Sequence, residues 1–174
     1  ITTDFMNLPE YTYYDNSELM ADYKKLVIDF FKLVDSSLSG EQLNEKADNL
    51  IKFEKEFVKI YPHPEVIRQR WSEKRQEKQA DFLAKYPQLM LNRFLAQTPQ
   101  KILISNPLPE ALAFYNSALK PENLSVLKDF YLYGFGRRFF DDSNPEYYKK
   151  QFDFNAKHMG GPVVRPVRQE RCTR

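Results

Sequence analysis

One cysteine, Cys172, stands in a chain of 174 residues. It has no C-x-x-C partner, fixes no redox compartment by itself and does not read as a nucleophile. Glycine is scarce, at five, which argues against an all-β fold built on many tight turns. The two histidines, His63 and His158, are far apart, and neither belongs to an H-E-x-x-H pair. A hydrolytic zinc site generally takes three protein ligands, and here no candidate partners stand out, so both read as ordinary turn and helix-end histidines. No glycine-rich phosphate loop is present, because Gly134-Phe135-Gly136 lacks a third glycine and follows no strand. There is no run of about 18 apolar residues, hence no membrane span in this stretch. Charge of one sign is missing too: 26 Lys and Arg against 24 Asp and Glu leave +2, too little to imply a polyanionic partner.

What is present is aromatic. Phe, Tyr and Trp make up 15% of a chain whose 42% hydrophobic and 29% charged content fits one soluble globular domain with a sizeable core. The densest stretch is Ser125–Phe140, with Phe130, Tyr131, Tyr133, Phe135, Phe139 and Phe140. Leu124, Leu127, Tyr131 and Phe135 recur at helical spacing, and Leu132, Phe139 and Phe140 widen the stripe. A helix so apolar all round is expected to be buried on most sides. Gly134 and Gly136 inside it cost about 1 kcal/mol each against alanine, so something approaches closely there or the helix bends.

The remaining segments read as helices joined by short turns. Ile1–Tyr14 is an extended lead-in, followed by N-cap candidates at Asp15-Asn16-Ser17. Leu19, Tyr23, Leu26, Val27, Phe30 and Val34 line a helix ending near Asp35. A second helix runs from Glu41 to about Tyr61, with Leu43, Ala47, Leu50 and Phe57 on one stripe and Glu54 at its edge. The short turn between them predicts an antiparallel hairpin. Glu65–Lys85 alternates charges around Trp71; pairs such as Arg70–Glu73, Lys74–Glu77 and Lys78–Asp81 at i,i+3 predict a solvated helix rather than a nucleic-acid contact. Pro87 opens a helix through Leu89, Met90, Phe94 and Leu95. Lys101–Ser105 is the one strand candidate. Pro109 starts a helix to about Leu119; Asp141–Asn144 is a cap-rich turn in which Asp141-Asp142 reads as a cap, before a last helix from Pro145 to His158. Gly160-Gly161-Pro162 ends regular structure, and residues 160–174 form an extended basic tail with Arg165, Arg168, Arg171 and Arg174. The expected fold is therefore mainly α, a multi-helix domain with antiparallel hairpins and at most one short strand near residues 101–105. Asn123-Leu124-Ser125 is a glycosylation sequon, meaningful if the chain is extracellular. The chain opens on Ile1 without an initiator Met and closes two residues after Cys172, and both ends read as cuts through something longer.

The order of these features resembles the neprilysin and endothelin-converting-enzyme family of zinc metallopeptidases. Leu8-Pro9-Glu10-Tyr11-Thr12-Tyr13-Tyr14 is similar to the family's L-P-x-x-x-Y-Y opening, before a helical hairpin like Leu19–Tyr61. Ile102–Pro107 (ILISNP) resembles its short hydrophobic segment ending in Asn-Pro, and Leu127-Lys128-Asp129-Phe130-Tyr131-Leu132 its L-K-N-Y-L-L helix. Arg171-Cys172 resembles its R-C ending. The likeness departs at Tyr133-Gly134, where the family has Trp-Arg, and in the charged connection before ILISNP. The resemblance implies that residues 1–174 are a single helical domain, or a piece of a larger helical lobe, with no catalytic or metal-ligating residue of its own. It implies zinc in the parent protein only, and as partners the catalytic lobe of the same protein and peptide substrates, without nucleic acid. It further implies an extracellular or cell-surface location, a disulfide from Cys172 to a partner outside the chain, and Asn123 as a glycosylation candidate. A stand-alone helical module that binds a protein or peptide without catalysis is the alternative. Nucleic-acid binding through the arginine tail and the Arg68–Lys78 helix is a third, which would require steep salt dependence.

Overall fold

The computed structural model describes residues 6–73, 76–97, 99, 101–162 and 164. In chain order, they form helices α1 (Ser17–Val34), α2 (Gly40–Ile60) and α3 (Pro64–Glu73), strand β1 (Gln76–Lys78), helices α4 (Gln79–Lys85) and α5 (Leu91–Leu95), strand β2 (Leu103–Ser105), and helices α6 (Pro109–Ala118), α7 (Leu124–Ser143) and α8 (Pro145–His158). The fold is mainly α, as expected. Contacts divide the described residues into two compact units, 6–11 with 52–127 and 12–51 with 128–164.

The second unit grows from its caps. Before α1 the chain is not extended throughout: Tyr11–Asp15 coils into a 3-10 turn. The Asn16 side chain then accepts the Leu19 backbone N–H at 3.0 Å, satisfying one of the free donors of the first turn. Ser39 and Gln42 exchange side-chain and backbone hydrogen bonds at the start of α2, a reciprocal capping box. Lys24 of α1 meets Asp48 of α2 at 2.6 Å across the turn at 35–39, which fixes the expected antiparallel hairpin. The stripe Leu19, Tyr23, Leu26, Val27 and Phe30 is buried, whereas Val34 at the helix end is exposed. Asn144, not Asp141 or Asp142, caps α8 by accepting the Tyr147 N–H at 2.9 Å, with Pro145 in the first turn. The two aspartates instead fall inside α7, which runs on to Ser143.

Phe30 is the hub of this unit. Its ring meets Phe31 and Phe140 at 5.4 Å, Tyr133 at 5.2 Å and Tyr147 at 6.1 Å, three of the four edge-on, the arrangement that aromatic quadrupoles favour. The same ring explains Gly136: a Cβ there would stand 2.7 Å from Phe30 Cζ. Close approach at a glycine was the expectation, and this is where it happens. Burial of α7 on most sides is not borne out. Leu127, Phe130 and Tyr133 are buried, but Leu124, Leu132, Phe135 and Phe139 are exposed, Phe139 at 76%. The close approach at Gly136 selects the face that turns inward, and the rest of the wide stripe is left outside.

The first unit holds three corrections. Glu54 is not at the stripe's edge but fully buried, and its carboxylate accepts a hydrogen bond from the Asn7 amide. The solvated helix expected over 65–85 is interrupted: α3 ends at Glu73, and 76–78 pair antiparallel with 103–105 in the register Gln76↔Ser105, Glu77↔Ile104, Lys78↔Leu103. The strand near 101–105 therefore has a partner, and the sheet has two strands rather than one. Arg70 hydrogen-bonds Glu110 and Glu77 pairs with Lys85, while Lys74 of the expected Lys74–Glu77 pair lies outside the described residues. Finally, the helix expected from Pro87 breaks at Met90, whose left-handed φ of +48° separates a 3-10 turn from α5. Ile104 carries the sheet onto a core of Phe82, Tyr86, Leu95 and Leu112, where burial of each large apolar side chain is worth about 1.5–3 kcal/mol.

Candidate functional site

Within the second unit, a concave feature follows α1 and α8. Two clefts of about 280 Å³ and about 300 Å³ adjoin there, with Asp29 and Lys150 in the walls of both. The sequence builds this groove with a seven-residue repeat. Asp22 and Asp29, Lys25 and Lys32, and Leu26 and Leu33 each recur seven apart on α1; Glu146 and Asp153, Lys150 and Lys157, and Tyr147 and Phe154 do so on α8. Seven residues are close to two helical turns, so each set stays on one face. Of the apolar members, Leu26, Tyr147 and Phe154 are buried and Leu33 is exposed. Lys150 reaches Asp29 at 2.7 Å and Lys157 reaches Asp22 at 2.8 Å, one heptad apart in opposite chain directions, so the helices run antiparallel. Four acids and four lysines cancel, and the groove has no preference for an anion or a cation.

The end of this seam gathers the most strongly perturbed groups. Asp22 is contacted by Lys157, by Lys25 at 2.9 Å and by His158 Nε2 at 2.9 Å. Hydrogen bonds from Lys157, then Lys25 and His158, hold its carboxyl far below the usual carboxylate range. The Lys157 hydrogen bond and charge also lower Glu18, while Asp22 and Glu18 raise Lys157. His158 has a nearly buried side chain, with its ring 5.0 Å from Phe154. An imidazole on a carboxylate resembles part of a general-base relay, but here the same carboxylate is shared with two lysines. A depressed carboxylate is a weak base, and a lysine held protonated is a poor nucleophile. The cluster joins the last turn of α8 to α1.

In the first unit, His63 accepts the Glu65 N–H through Nδ1 at 3.4 Å and sets its ring edge-on to Tyr11 at 6.4 Å. A pocket of about 180 Å³ lies nearby, lined by Met6, Pro9, Glu10, Tyr11, Tyr61, Pro64 and Ile67. Arg70 grips Glu110 through both guanidinium nitrogens at 2.7 and 2.8 Å and donates to the Pro107 carbonyl at 3.3 Å. That paired hydrogen bond raises Arg70 and lowers Glu110.

The motifs of the sequence are structural anchors in this fold. Leu8 and Tyr14 of the L-P-x-x-x-Y-Y segment are buried. Asn106 of ILISNP accepts the Leu108 N–H at 3.2 Å and donates to the Tyr86 hydroxyl at 3.3 Å, so Asn-Pro turns the chain from β2 into α6. Asp129 of α7 receives Lys46 at 2.8 Å. A family model for the N-terminal part of peptidase family M13 matches residues 1–174.

The chain belongs to peptidase family M13. No curated protein and no solved structure matched it. M13 peptidases are zinc enzymes. Among the described residues, no three of His, Cys, Asp and Glu converge so as to hold a metal ion. Among the described residues, His158 meets Asp22, which also holds two lysines, and His63 meets Glu65. These surroundings, among the described residues, do not make a zinc ligand set. Among the described residues, no helix is long and apolar enough to cross a membrane. Cys172 and the arginines of the tail lie outside the described residues, as do Lys74 and Arg75. Trp71 is half exposed on α3. Asn123 closes the 3-10 turn Pro121–Asn123 that leads into α7. The paired heptads of α1 and α8 were missed in the sequence, although the spacing of Asp22, Asp29, Lys150 and Lys157 was there to be read.

Proposed function

We propose that this M13 chain is a helical, non-catalytic lobe of a neprilysin-like zinc metalloendopeptidase, covering the active-site cavity and restricting the size of peptide that reaches it. The observation that carries the reading is the family match across all 174 residues of a chain without H-E-x-x-H. It is supported by the pairing of Asp22 with Lys25 and Lys157 and of Asp29 with Lys150 in the α1–α8 groove, which suits a rigid wall better than a reaction centre. In this reading, zinc and the bond-breaking residues belong to the catalytic lobe of the same protein, which is the partner of this one, and the substrates are peptides. The protein is extracellular or displayed at the cell surface, and Cys172 forms a disulfide with a cysteine outside these residues.

The experiment is a length series. Full-length protein should hydrolyse short quenched peptides in a chelator-sensitive way, with kcat/KM falling steeply as the substrate becomes a long or folded polypeptide. Equal turnover of short peptides and an unfolded protein of domain size would remove the size-restricting role. The 174-residue chain alone should show no turnover and bind no stoichiometric zinc; chelator-sensitive activity that survives repurification would overturn its non-catalytic assignment. Non-reducing peptide mapping of the full-length protein should find Cys172 in a disulfide.

A further inference from the structure

We infer that Asn123 carries an N-linked oligosaccharide. The inference rests on the extracellular reading above, because the transfer takes place in the secretory pathway. Asn123-Leu124-Ser125 satisfies the acceptor pattern, with a residue other than proline in the middle. The fold places it where an oligosaccharide can be accommodated. Asn123 is half-buried at the end of its 3-10 turn, and Pro121, Glu122, Leu124 and Ser125 around it are all exposed. Leu124, at 52% exposure, is an apolar surface beside the attachment point that the face of the first sugar can cover.

The amide geometry is compatible with substitution. Asn123 Nδ2 donates to the Ala118 carbonyl at 3.2 Å, a bond that spans the break between α6 and α7. A primary amide has two N–H groups. In the transfer, Nδ2 forms a bond to C1 of the reducing-end sugar of a lipid-diphosphate-linked oligosaccharide. The C1–oxygen bond breaks, the lipid diphosphate leaves with the electron pair, and Nδ2 loses one proton. One N–H remains, so the bond to Ala118 can persist beside the sugar. The Ser125 hydroxyl, exposed in the first turn of α7, is the acceptor-motif hydroxyl.

The test uses full-length protein produced in a secreting eukaryotic cell, with mass mapping before and after peptide N-glycosidase. Wild type should yield the peptide bearing an oligosaccharide at Asn123, converted by the glycosidase to an aspartate at that position. Ser125→Ala should abolish the modification while leaving the Asn123–Ala118 bond available, and Ser125→Thr should retain it. That pair separates loss of the acceptor motif from loss of the fold, which Asn123→Gln alone would confound. Bare Asn123 in protein recovered from the medium or cell surface overturns the inference and leaves the extracellular reading standing. Protein confined to the cytosol overturns the extracellular reading and, with it, the modification.

Discussion

At Gly136 a single hydrogen in place of a methyl group decides which face of α7 turns inward. Alanine there gains helix propensity of about 1 kcal/mol but drives a Cβ to 2.7 Å from Phe30 Cζ. Phe30 is held by four other rings and is fully buried, so it cannot swing clear. Overpacking of this kind costs about 1–3 kcal/mol, and Gly136→Ala is expected to lower the unfolding free energy measured in urea by a net of about 1 kcal/mol; an unchanged or raised value would show that Phe30 relaxes freely. Glu54 is the matching lesson in polarity. Its spacing with Leu50 and Phe57 was legible, but the charge moved it to the stripe's edge on paper, because the donor that makes burial tolerable, Asn7, is 47 residues away. Asn7→Ala strips that donor from a buried carboxylate, and equilibrium unfolding should register a loss of about 1–3 kcal/mol.

Among the elements, the seam between α1 and α8 has a pH signature. Asp22 is depressed below its ordinary 3.8, so its contribution is present above that value and is lost as pH falls through the folded one. Lys157 is raised above its ordinary 10.5, so its contribution is present below that value and is lost as pH rises through the folded one. The stability difference between wild type and Asp22→Asn should therefore form a plateau from about pH 5 to about pH 9. It should shrink on the acid side first and fall in high salt, since these groups are largely open to solvent; a difference that grows below pH 4 would contradict the pairing. The Arg70 fork on Glu110 makes a second test. Arg70→Lys keeps the charge but loses the two-pronged geometry, and thermal melts should show a loss of about 1 kcal/mol, with Pro107 freed from its donor. Most helices and their caps were legible from spacing and cap chemistry, both local. Strand 76–78 was not. Glu77 and Lys78 carry no strand signal of their own, and only their ladder with 103–105 holds them extended. The break at Met90 was equally unmarked, because nothing in the residue type announces a left-handed backbone.

For the whole molecule, the notable surface is the outer face of α7, where Phe135 and Phe139 are 63% and 76% exposed. Side chains left in water contribute little to folding, so Phe139→Ser should change stability by no more than about 0.5 kcal/mol. Loss of stability well beyond that figure would mean the ring is covered in the folded protein. The sequence by itself determined the helical class, most helix ends, and membership of peptidase family M13, because periodicity, caps and motif order are written in neighbouring residues. It also contained the Asn123 sequon and the absence of H-E-x-x-H. Only the tertiary structure decided which face of the aromatic helix is covered, that Glu54 lies inside, that a charged stretch becomes a strand, and that Asp22, Lys157 and His158 meet. Each of these depends on partners tens of residues away, and a contact of that kind leaves no mark in the local pattern of either residue.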